Sequence, residues 1–375
     1  MLHLRAAFVA SLIAVLLLAA APAHAVGLFD LEWSELAPGV HVAQRPDPMR
    51  YPVVCNTVVV IGDDGVLVFD AGGFPSQGER VLAKIKSLTP KPVQYIVISH
   101  WHGDHNRGIA PILDAFPKAQ IVGHTFTRAA MLGAPGQRIL KSEQAGGVRD
   151  TAAEVKKSLD EGKFFDGTPL DPAEKPFFER FVTDAVEHQA EVMRMRITPP
   201  TLTFDDKLDI KLGKRLVQLR HFGPGNTKGD AVMILPAERI VAAGDTVVAP
   251  IPYAFGSYPA SWVSVLRELN GTRYKTLVPG HGPLQTDTTF LDLMGEALTL
   301  VASQVNAAVA QGKPAREVFK SVDLSRVEQR FTKGDPILQR FFGFYFRDPA
   351  IESALNVAKG IENEKLTEDP PVKTP

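Results

Sequence analysis

Short apolar runs separated by polar turns fill the first third of the chain and predict a sheet-rich core. Strands are predicted where apolar or alternating residues stand between Gly, Pro, Asp and Asn, namely at residues 40–43, 55–61, 66–69, 95–98 and 119–122. The turn Gly62-Asp-Asp-Gly65 joins two of these runs and predicts a β-hairpin. Apolar residues at helical spacing predict helices over 79–87 and 109–116, so strands and helices mix along the chain. We therefore predict an α/β fold.

The same pattern resumes in the second half of the chain. It predicts strands at 202–204, 208–210, 216–219, 231–235, 240–243 and 276–278, and helices around 266–269 and over 286–310. Further helical signal continues to about residue 360. Residues 26–38 lack a regular pattern, and we predict a loose lead-in there.

Between these halves lies a polar, helix-prone segment, from about 125 to 199, that carries no metal-ligand spacing. Its apolar residues fall on one helical face at Phe178, Phe181, Val182, Ala185 and Val192. We interpret it as an insertion, which either forms a lid over a functional site or is a structural cap. The predicted organisation is a core domain over 26–290, a helical C-terminal extension over 291–361 and a disordered Glu/Lys/Pro-rich tail over 362–375.

The N-terminus has the features of a secretion signal. A short basic start is followed by the apolar run Ala6–Ala21 and by the small-x-small site Ala23-His24-Ala25. We expect residues 1–25 to be a signal peptide and the mature protein to be periplasmic or secreted; an uncleaved anchor helix is the alternative. Cys55 is the only cysteine, so an internal disulfide is impossible, and its apolar context predicts a buried thiol.

Charge limits the range of partners. The net charge is -1, without the Lys/Arg surplus that nucleic-acid binding usually requires. We therefore expect a small-molecule substrate, no nucleic acid, and no membrane association after cleavage of the signal peptide. The sequence leaves the oligomeric state open.

The candidate chemistry is concentrated in His100-Trp-His-Gly-Asp-His105, directly after the predicted buried strand at 95–98. His100 and His102 are two residues apart and point the same way from extended backbone. Asp104 and His105 follow the end of the strand and could face a second point. Imidazole and carboxylate are zinc ligands, so the stretch predicts a site for one or two metal ions. The alternative is a polar turn with incidental histidines.

Other ligand-type residues also stand where predicted strands end. They are Asp70, Asn226, Asp245 and His281. Strand ends converge at one edge of an α/β sheet, which is where such folds bind ligands. We therefore expect these side chains to lie near His100–His105.

These motifs, in this chain order, resemble the metallo-β-lactamase superfamily. The His-x-His-x-Asp-His motif at 100–105 is the most specific match, and Asp70, Gly-Pro-Gly-Asn-Thr227, Gly244-Asp245 and Pro279-Gly-His281 accompany it. The resemblance spans roughly residues 38–285. It implies a four-layer αββα sandwich with a dinuclear metal site at one edge.

The resemblance also implies roles for single residues. His100 and His102 match ligands of the first zinc, while Asp104, His105 and His281 match ligands of the second. Asp245 matches the bridging carboxylate. Asp70 matches a residue that orients the histidine-rich turn, as carboxylates behind metal-bound imidazoles do.

Asn226 departs from the family pattern, which places a histidine at this position. An amide oxygen suits hard cations better than zinc, so the first metal site should be the weaker one. Asn226 either binds the metal weakly or holds a metal-bound water, or His221 reaches the site from five residues upstream. We expect one tightly held zinc and one labile metal.

The resemblance implies hydrolysis by zinc-bound hydroxide, which attacks the carbonyl of a lactam, lactone or ester while Asp104 and Asp245 orient the nucleophile. Flavodiiron-like chemistry is disfavoured by His102, and persulfide-dioxygenase-like chemistry by Asn226. The alternative is a non-catalytic or auxiliary periplasmic protein that binds a metal or ligand.

An aromatic loop after Asp245 bears on the substrate. Tyr253, Phe255, Tyr258 and Trp262 either form an apolar wall of the substrate site or pack against the insertion. We favour the wall.

Overall fold

The structure is a computed structural model that describes residues 27–164 and 167–367. Two β-sheets form its centre. The strands of the first sheet are β1 Glu32–Ala37, β2 Val40–Gln44, β3 Thr57–Ile61, β4 Val66–Phe69, β5 Val93–Val97, β6 Gln120–His124 and β7 Leu202–Phe204. The strands of the second sheet are β8 Lys207–Leu212, β9 Arg215–Arg220, β10 Val232–Leu235, β11 Ile240–Ala242 and β12 Thr276–Val278. The predicted signal peptide lies outside the described residues.

The order of strands brings the carboxyl ends of neighbouring strands together. In the first sheet the order follows the chain from β1 to β7, antiparallel up to β4 and parallel from β4 onward. In the second sheet the order is β12-β11-β10-β9-β8, and only β11 and β12 are parallel. The parallel pairs β4/β5 and β11/β12 therefore end at the positions from which the site residues project.

Helices cover the outer faces of both sheets. They are α1 Pro75–Leu88, α2 Gly103–Asn106, α3 Ile109–Ala115, α4 Thr125–Leu132, α5 Ala134–Ser142, α6 Val148–Glu161, α7 Lys175–Val192, α8 Pro259–Gly271, α9 Thr289–Ala310, α10 Ala315–Ser321, α11 Ser325–Thr332, α12 Pro336–Phe341 and α13 Asp348–Ala358. Two π-helical turns, Glu143–Gly147 and Phe342–Arg347, follow α5 and α12, and Gly244–Thr246 forms a 3₁₀ turn.

Alternation along the strands creates three apolar layers. In β3, Val58 and Val60 face the second sheet, while Val59 packs on the outer side with Ile85 of α1. In the second sheet, Met233 faces inward, and its neighbour Val232 packs outward among residues of α8 and α9. Side chains of a strand point to opposite faces, so a strand buried on both faces must be apolar throughout. The predicted four-layer αββα sandwich is confirmed.

The C-terminal helices belong to the outer core of the second sheet. Helix α9 is the one helix of the described ranges that is long and apolar enough to cross a membrane, by length and composition alone. Its inward side chains, including Met294, Leu298 and Val301, are fully buried in the same apolar cluster as α8 and α13. The helix therefore serves as a core helix of this fold.

Two sequence expectations differ from the structure. The predicted loose lead-in contains β1, whose Trp33 packs outside the first sheet while Leu36 packs between the sheets. An edge strand can carry many polar residues, which hid this pattern. The predicted disordered tail is ordered over residues 362–367, where Glu362, Asn363 and Glu364 hydrogen-bond to the body of the protein. Residues 368–375 lie outside the described part of the chain.

Candidate metal centre

The candidate ligands project from the ends of four strands at one edge of the sandwich. Asp70 follows β4, the turn His100–His105 follows β5, Asp245 follows β11 and His281 follows β12. The close approach of these turns depends on Gly280, because a Cβ there would lie 1.9 Å from Asp245 Oδ1. The glycine before His281 therefore lets two loops of the site meet.

Asp104, His105, Asp245 and His281 form one group of ligand atoms, all within 4.8 Å of one another. His105 Nε2 lies 3.2 Å from His281 Nε2 and 3.1 Å from Asp245 Oδ1. Asp104 Oδ2 lies 3.1 Å from His281 Nε2. Two imidazoles and two carboxylates thus face a common centre.

His100, His102 and Asp245 form a second group with the same spread of ligand atoms. His100 Nε2 lies 2.9 Å from His102 Nδ1 and 3.8 Å from Asp245 Oδ2. Asp245 takes part in both groups, with Oδ1 towards one and Oδ2 towards the other. This is the placement expected of a carboxylate that bridges two metal ions.

The chemistry of the donors fits divalent cations. In each group two ring nitrogens face each other at hydrogen-bond distance, and a cation between them would satisfy both lone pairs. Asp245 Oδ1 is buried, and although His105 Nε2 lies 3.1 Å away, no donor among the described residues points directly at it. Neutral imidazole nitrogens with carboxylate oxygens form a standard zinc-binding set. The residues that would hold two such ions are therefore the six named above.

Electrostatics differ between the two groups. Burial, aided by the neighbouring His105, holds the pKa of His100 well below its ordinary value, so this imidazole is neutral. For His281, burial opposes protonation, but Asp245 and Asp104 outweigh it and raise the pKa to about 9. A metal ion that binds to His281 must therefore displace a proton.

Asp70 holds His105 in place from behind. Its Oδ2 lies 2.7 Å from His105 Nδ1, and its Oδ1 accepts the Ser99 N–H at 2.8 Å. This contact leaves His105 Nε2 free to face the ligand group. The Asp70 backbone has a φ of 54°, in the left-handed region that Asn and Asp tolerate best.

Asn226, rather than His221, lies at the site. Its Nδ2 donates to the Tyr253 carbonyl at 2.7 Å, while its buried Oδ1 has no hydrogen-bond partner among the described residues. His221 is held elsewhere, with Nδ1 2.8 Å from the Asp230 carbonyl oxygen and its ring 4.3 Å from the His124 ring. Of the two residues considered for the missing ligand, only Asn226 lies in the wall of the site cavity.

A cavity of about 260 Å³ opens over the ligands, and its lining shows which of the predicted aromatic residues reach the site. Tyr253 and Phe255 line it, with the Tyr253 ring 5.2 Å from the His281 ring. Trp262 does not, because α8 directs it into the core, where it is fully buried and its Nε1 donates to the Thr246 carbonyl. Tyr258 does not either, since its hydroxyl turns towards Glu362. The predicted aromatic wall is thus wrong for these two residues.

Several residues of the cavity carried no recognisable signal in the sequence. The predicted insertion contributes Ile139, Glu143 and His188, and the extension contributes Tyr345. Tyr51 and Arg107 complete the wall, and Arg107 is paired with Glu143. Their residue types are common, and only packing of the insertion and extension against the core brings them to the site.

Asn56 was also missed, although it positions a ligand loop. Its Nδ2 donates to the carbonyls of Pro279 and Gly282, each at 2.9 Å, and so spans the loop that carries His281. Its backbone N–H donates to Gly280 at 2.6 Å. Asn56 follows the buried Cys55 at the start of an apolar strand, a context that in sequence indicates packing only.

Comparisons with known proteins agree with the family that the motifs indicate. A family model described as the metallo-beta-lactamase superfamily matches residues 50–281. A linear primary-alkylsulfatase from a Pseudomonas species is 22% identical over 301 residues, which cover 75% of this chain and 51% of the sulfatase. The chain thus spans about half the length of this curated relative.

Solved structures with a similar chain path include metallo-β-lactamases. One from Pontibacter korlensis is 18% identical, with a TM-score of 0.48 over 72% of this chain and 99% of its own. The DIM-1 metallo-β-lactamase is 14% identical, with a TM-score of 0.47 over 72% of this chain and 97% of its own. At these scores the family assignment depends on the sequence model and on the motifs.

Proposed function

The chain belongs to the metallo-β-lactamase superfamily, and we propose that it is an exported, zinc-dependent hydrolase that cleaves a lactam, lactone or ester bond in a small, partly apolar molecule. The observation that carries the proposal is Asp245, whose two oxygens face two separate groups of ligand atoms. This shared carboxylate lies in the wall of a cavity large enough for a small substrate.

The chain supplies ligands and orientation for the reaction. Zinc bound at these residues would polarise the substrate and lower the pKa of water towards about 7. The Asp104 side chain, which is 23% exposed, reaches the cavity and can orient an attacking water. Burial raises the pKa of the Tyr253 hydroxyl well above its ordinary value, so this group stays protonated and can donate to a substrate oxygen.

The walls of the cavity favour an uncharged, partly apolar substrate. Tyr51, Phe74 and Phe255 provide apolar surface around the opening. Arg107 is the cation among the lining residues, and its charge is offset by Glu143. A substrate that needs a free cation for its own anion would therefore have to displace this ion pair.

A second candidate substrate class is sulfate esters. It is supported by the similarity to the Pseudomonas linear primary-alkylsulfatase, and Arg107 could turn to a sulfate if Glu143 released it. In a sulfate ester water would attack sulfur or the ester carbon rather than a carbonyl carbon, so the attacked atom, the leaving group and the contacts of the anion would all differ. Direct comparison of substrates separates the two classes.

The decisive experiment is a substrate panel with the zinc-loaded protein. It should include nitrocefin, an acyl lactone, p-nitrophenyl butyrate and an alkyl sulfate, each with and without chelator. We expect chelator-sensitive turnover of at least one of the first three substrates. His281→Ala should abolish it, while His41→Ala, on a strand away from the ligands, should not. Turnover of the sulfate alone would replace the proposed substrate class, and turnover of none would favour a non-catalytic binding role.

Zinc and export have their own tests. Elemental analysis of protein purified without added metal should find zinc, and iron or manganese in its place would contradict that part of the proposal.

For export, the apolar run Ala6–Ala21 and the small residues around His24 support cleavage of a signal peptide. N-terminal sequencing of protein from the periplasmic fraction should then start near Val26. Full-length protein in the membrane fraction would instead indicate an anchor.

A further inference from the structure

A second cavity, of about 280 Å³, lies between the insertion and the C-terminal extension. Its described walls come from α6 and α7 on one side and from α12 and the following π-helical turn on the other. Six phenylalanines dominate the lining: Phe164, Phe177, Phe178, Phe181, Phe341 and Phe344. We call this space the phenylalanine cavity.

The phenylalanine cavity adjoins the site cavity through two tyrosines that line both. Tyr51 packs against Phe181 at 4.8 Å between ring centroids on one side and against His188 of the site cavity at 5.8 Å on the other. Tyr345 packs against Phe341 at 5.2 Å and against Tyr253 at 4.9 Å. The two cavities thus meet at these two rings, which belong to the walls of both.

The described lining of the phenylalanine cavity offers no available charge. Arg340 is the charged residue among the described lining residues, and it is paired with Glu174, with Nη2 to Oε2 at 2.9 Å. Its guanidinium also stacks 4.5 Å from the centroid of the Phe164 ring. The Thr151 hydroxyl donates to the Gly147 carbonyl of its own helix turn. A ligand here would gain by burying apolar surface, which excludes a polar head group.

We propose that the phenylalanine cavity binds the hydrocarbon tail of the substrate whose reacting bond lies at the metal centre. This inference depends on the proposed function and narrows its substrate class to amphiphiles with an acyl or alkyl chain. The head group would occupy the site cavity at Asp104 and Asp245, and the chain would pass Tyr51 and Tyr345. The acyl and alkyl cases share the tail and differ at the bond that is cleaved.

Binding of n-alkyl carboxylates tests the tail site without catalysis. Titration calorimetry of the zinc-loaded protein, whose metal ions would hold the carboxylate head group, with acetate, hexanoate and decanoate should give a Kd that falls about fourfold for each added methylene, the factor expected when a methylene leaves water. The gain should stop once the cavity is filled. A Kd that does not depend on chain length would overturn the proposal.

Matched tryptophan variants locate the tail. Thr151 and Thr183 are both exposed helical threonines whose hydroxyls donate to the carbonyl four residues before, at 2.8 and 3.0 Å. Only Thr151 lines the phenylalanine cavity. Thr151→Trp should weaken decanoate binding at least tenfold and leave acetate binding unchanged, while Thr183→Trp should change neither. Equal effects of the two variants would contradict the assigned location.

A second pair of variants tests the site independently, in case the tryptophan introduced at Thr151 adopts a rotamer that leaves the cavity open. Phe344 and Phe319 are both exposed phenylalanines, and only Phe344 lines the cavity. Phe344→Asp should weaken decanoate binding about tenfold relative to Phe319→Asp, because it places a charge beside the tail. Unchanged binding in both Thr151→Trp and Phe344→Asp would reject the site.

Hydrolysis assays separate this inference from the proposed function. If the enzyme cleaves short and long esters equally well, the hydrolase proposal stands and the tail site is rejected. If carboxylate binding follows chain length but no substrate of the panel is cleaved, the tail site stands and the proposed function fails. Selective loss of kcat/KM for long esters in Thr151→Trp supports both.

Discussion

Glu364 accepts a hydrogen bond from Nε1 of Trp101 at 2.6 Å, which ties the C-terminal segment to the centre of the histidine motif. Trp101 stands between the ligand candidates His100 and His102. The other carboxylate oxygen of Glu364 accepts the Lys228 N–H at 2.6 Å, two residues after Asn226. One buried carboxylate thus connects the His100–His105 turn to the loop that carries Asn226.

Replacing Glu364 should therefore affect both stability and metal binding. In Glu364→Ala two half-buried donors, the Trp101 Nε1–H and the Lys228 N–H, lose their buried acceptor, which should lower the free energy of unfolding by about 1–3 kcal/mol in total. Zinc content after dialysis should also fall, because the turn at Trp101 is no longer held. Urea unfolding and elemental analysis measure the two effects. Glu352→Ala, at an exposed position of α13, is the control and should change the zinc content little.

Asp70→Asn tests the support behind His105. The asparagine tolerates the positive φ of 54° but lacks the charge that fixes the imidazole, so we expect a 10–100-fold loss in zinc affinity or activity. Competition with a chromogenic chelator measures the affinity directly. Asp63→Asn is a matched change in the β3–β4 turn, where Asp63 accepts the Lys214 N–H, and it should leave affinity unchanged. If Asp70→Asn also leaves affinity unchanged, the carboxylate does not orient this ligand.

His124 should make the stability depend on pH. Its Nδ1 accepts the Phe126 N–H at the start of α4, and burial together with the nearby His221 lowers its pKa from 6.5 to about 4. The unfolded chain therefore binds a proton more readily, so the contribution to stability is complete above pH 6.5 and is lost as the pH falls towards 4.

His124→Asn keeps a helix-capping acceptor and removes this titration. Denaturant unfolding of both proteins should show a constant difference above pH 6.5. As the pH falls towards 4, the difference should shift in favour of the variant. Parallel curves over the whole range would show that His124 binds its proton equally well in the folded and unfolded chains.

The ligand residues could be predicted from sequence because they follow apolar strands directly. His100, Asp245 and His281 each stand one turn past a run of buried β-branched or aliphatic residues, and a sandwich brings such ends to one edge. The covering residues could not be predicted in this way. His188 and Tyr345 reach the cavity only because long helical segments fold back onto the core, and helical periodicity does not encode that contact.

Two errors have a common physical origin. Residue type alone does not encode which way a side chain points from a helix or which contacts the C-terminal segment makes. Trp262 has the aromatic character of a substrate wall, but its position on α8 turns it inward to the core. Glu364 belongs to a charged stretch typical of disorder, but its buried carboxylate accepts hydrogen bonds from Trp101 and Lys228. In both cases contacts in the folded protein, rather than the local sequence, determine where the side chain lies.

Asn226 is the sharpest test of the metal centre, because it lines the site cavity and its buried Oδ1 has no hydrogen-bond partner in the described part of the chain. An amide oxygen is a weaker zinc ligand than imidazole. We therefore expect the wild-type protein to keep about one zinc per chain after dialysis, and Asn226→His to keep close to two. Asn226→Asp, with an anionic oxygen in nearly the same shape, should also raise the zinc content, although it loses the donor to the Tyr253 carbonyl.

The control for these variants is His221→Asn, since His221 bonds to the Asp230 carbonyl away from the ligand groups. Its zinc content should match that of the wild type. Two zinc ions held firmly by the wild-type protein would show that the amide oxygen suffices, and the expected asymmetry between the two sites would then be wrong. Loss of zinc in His221→Asn would instead mean that His221 reaches the metal in solution.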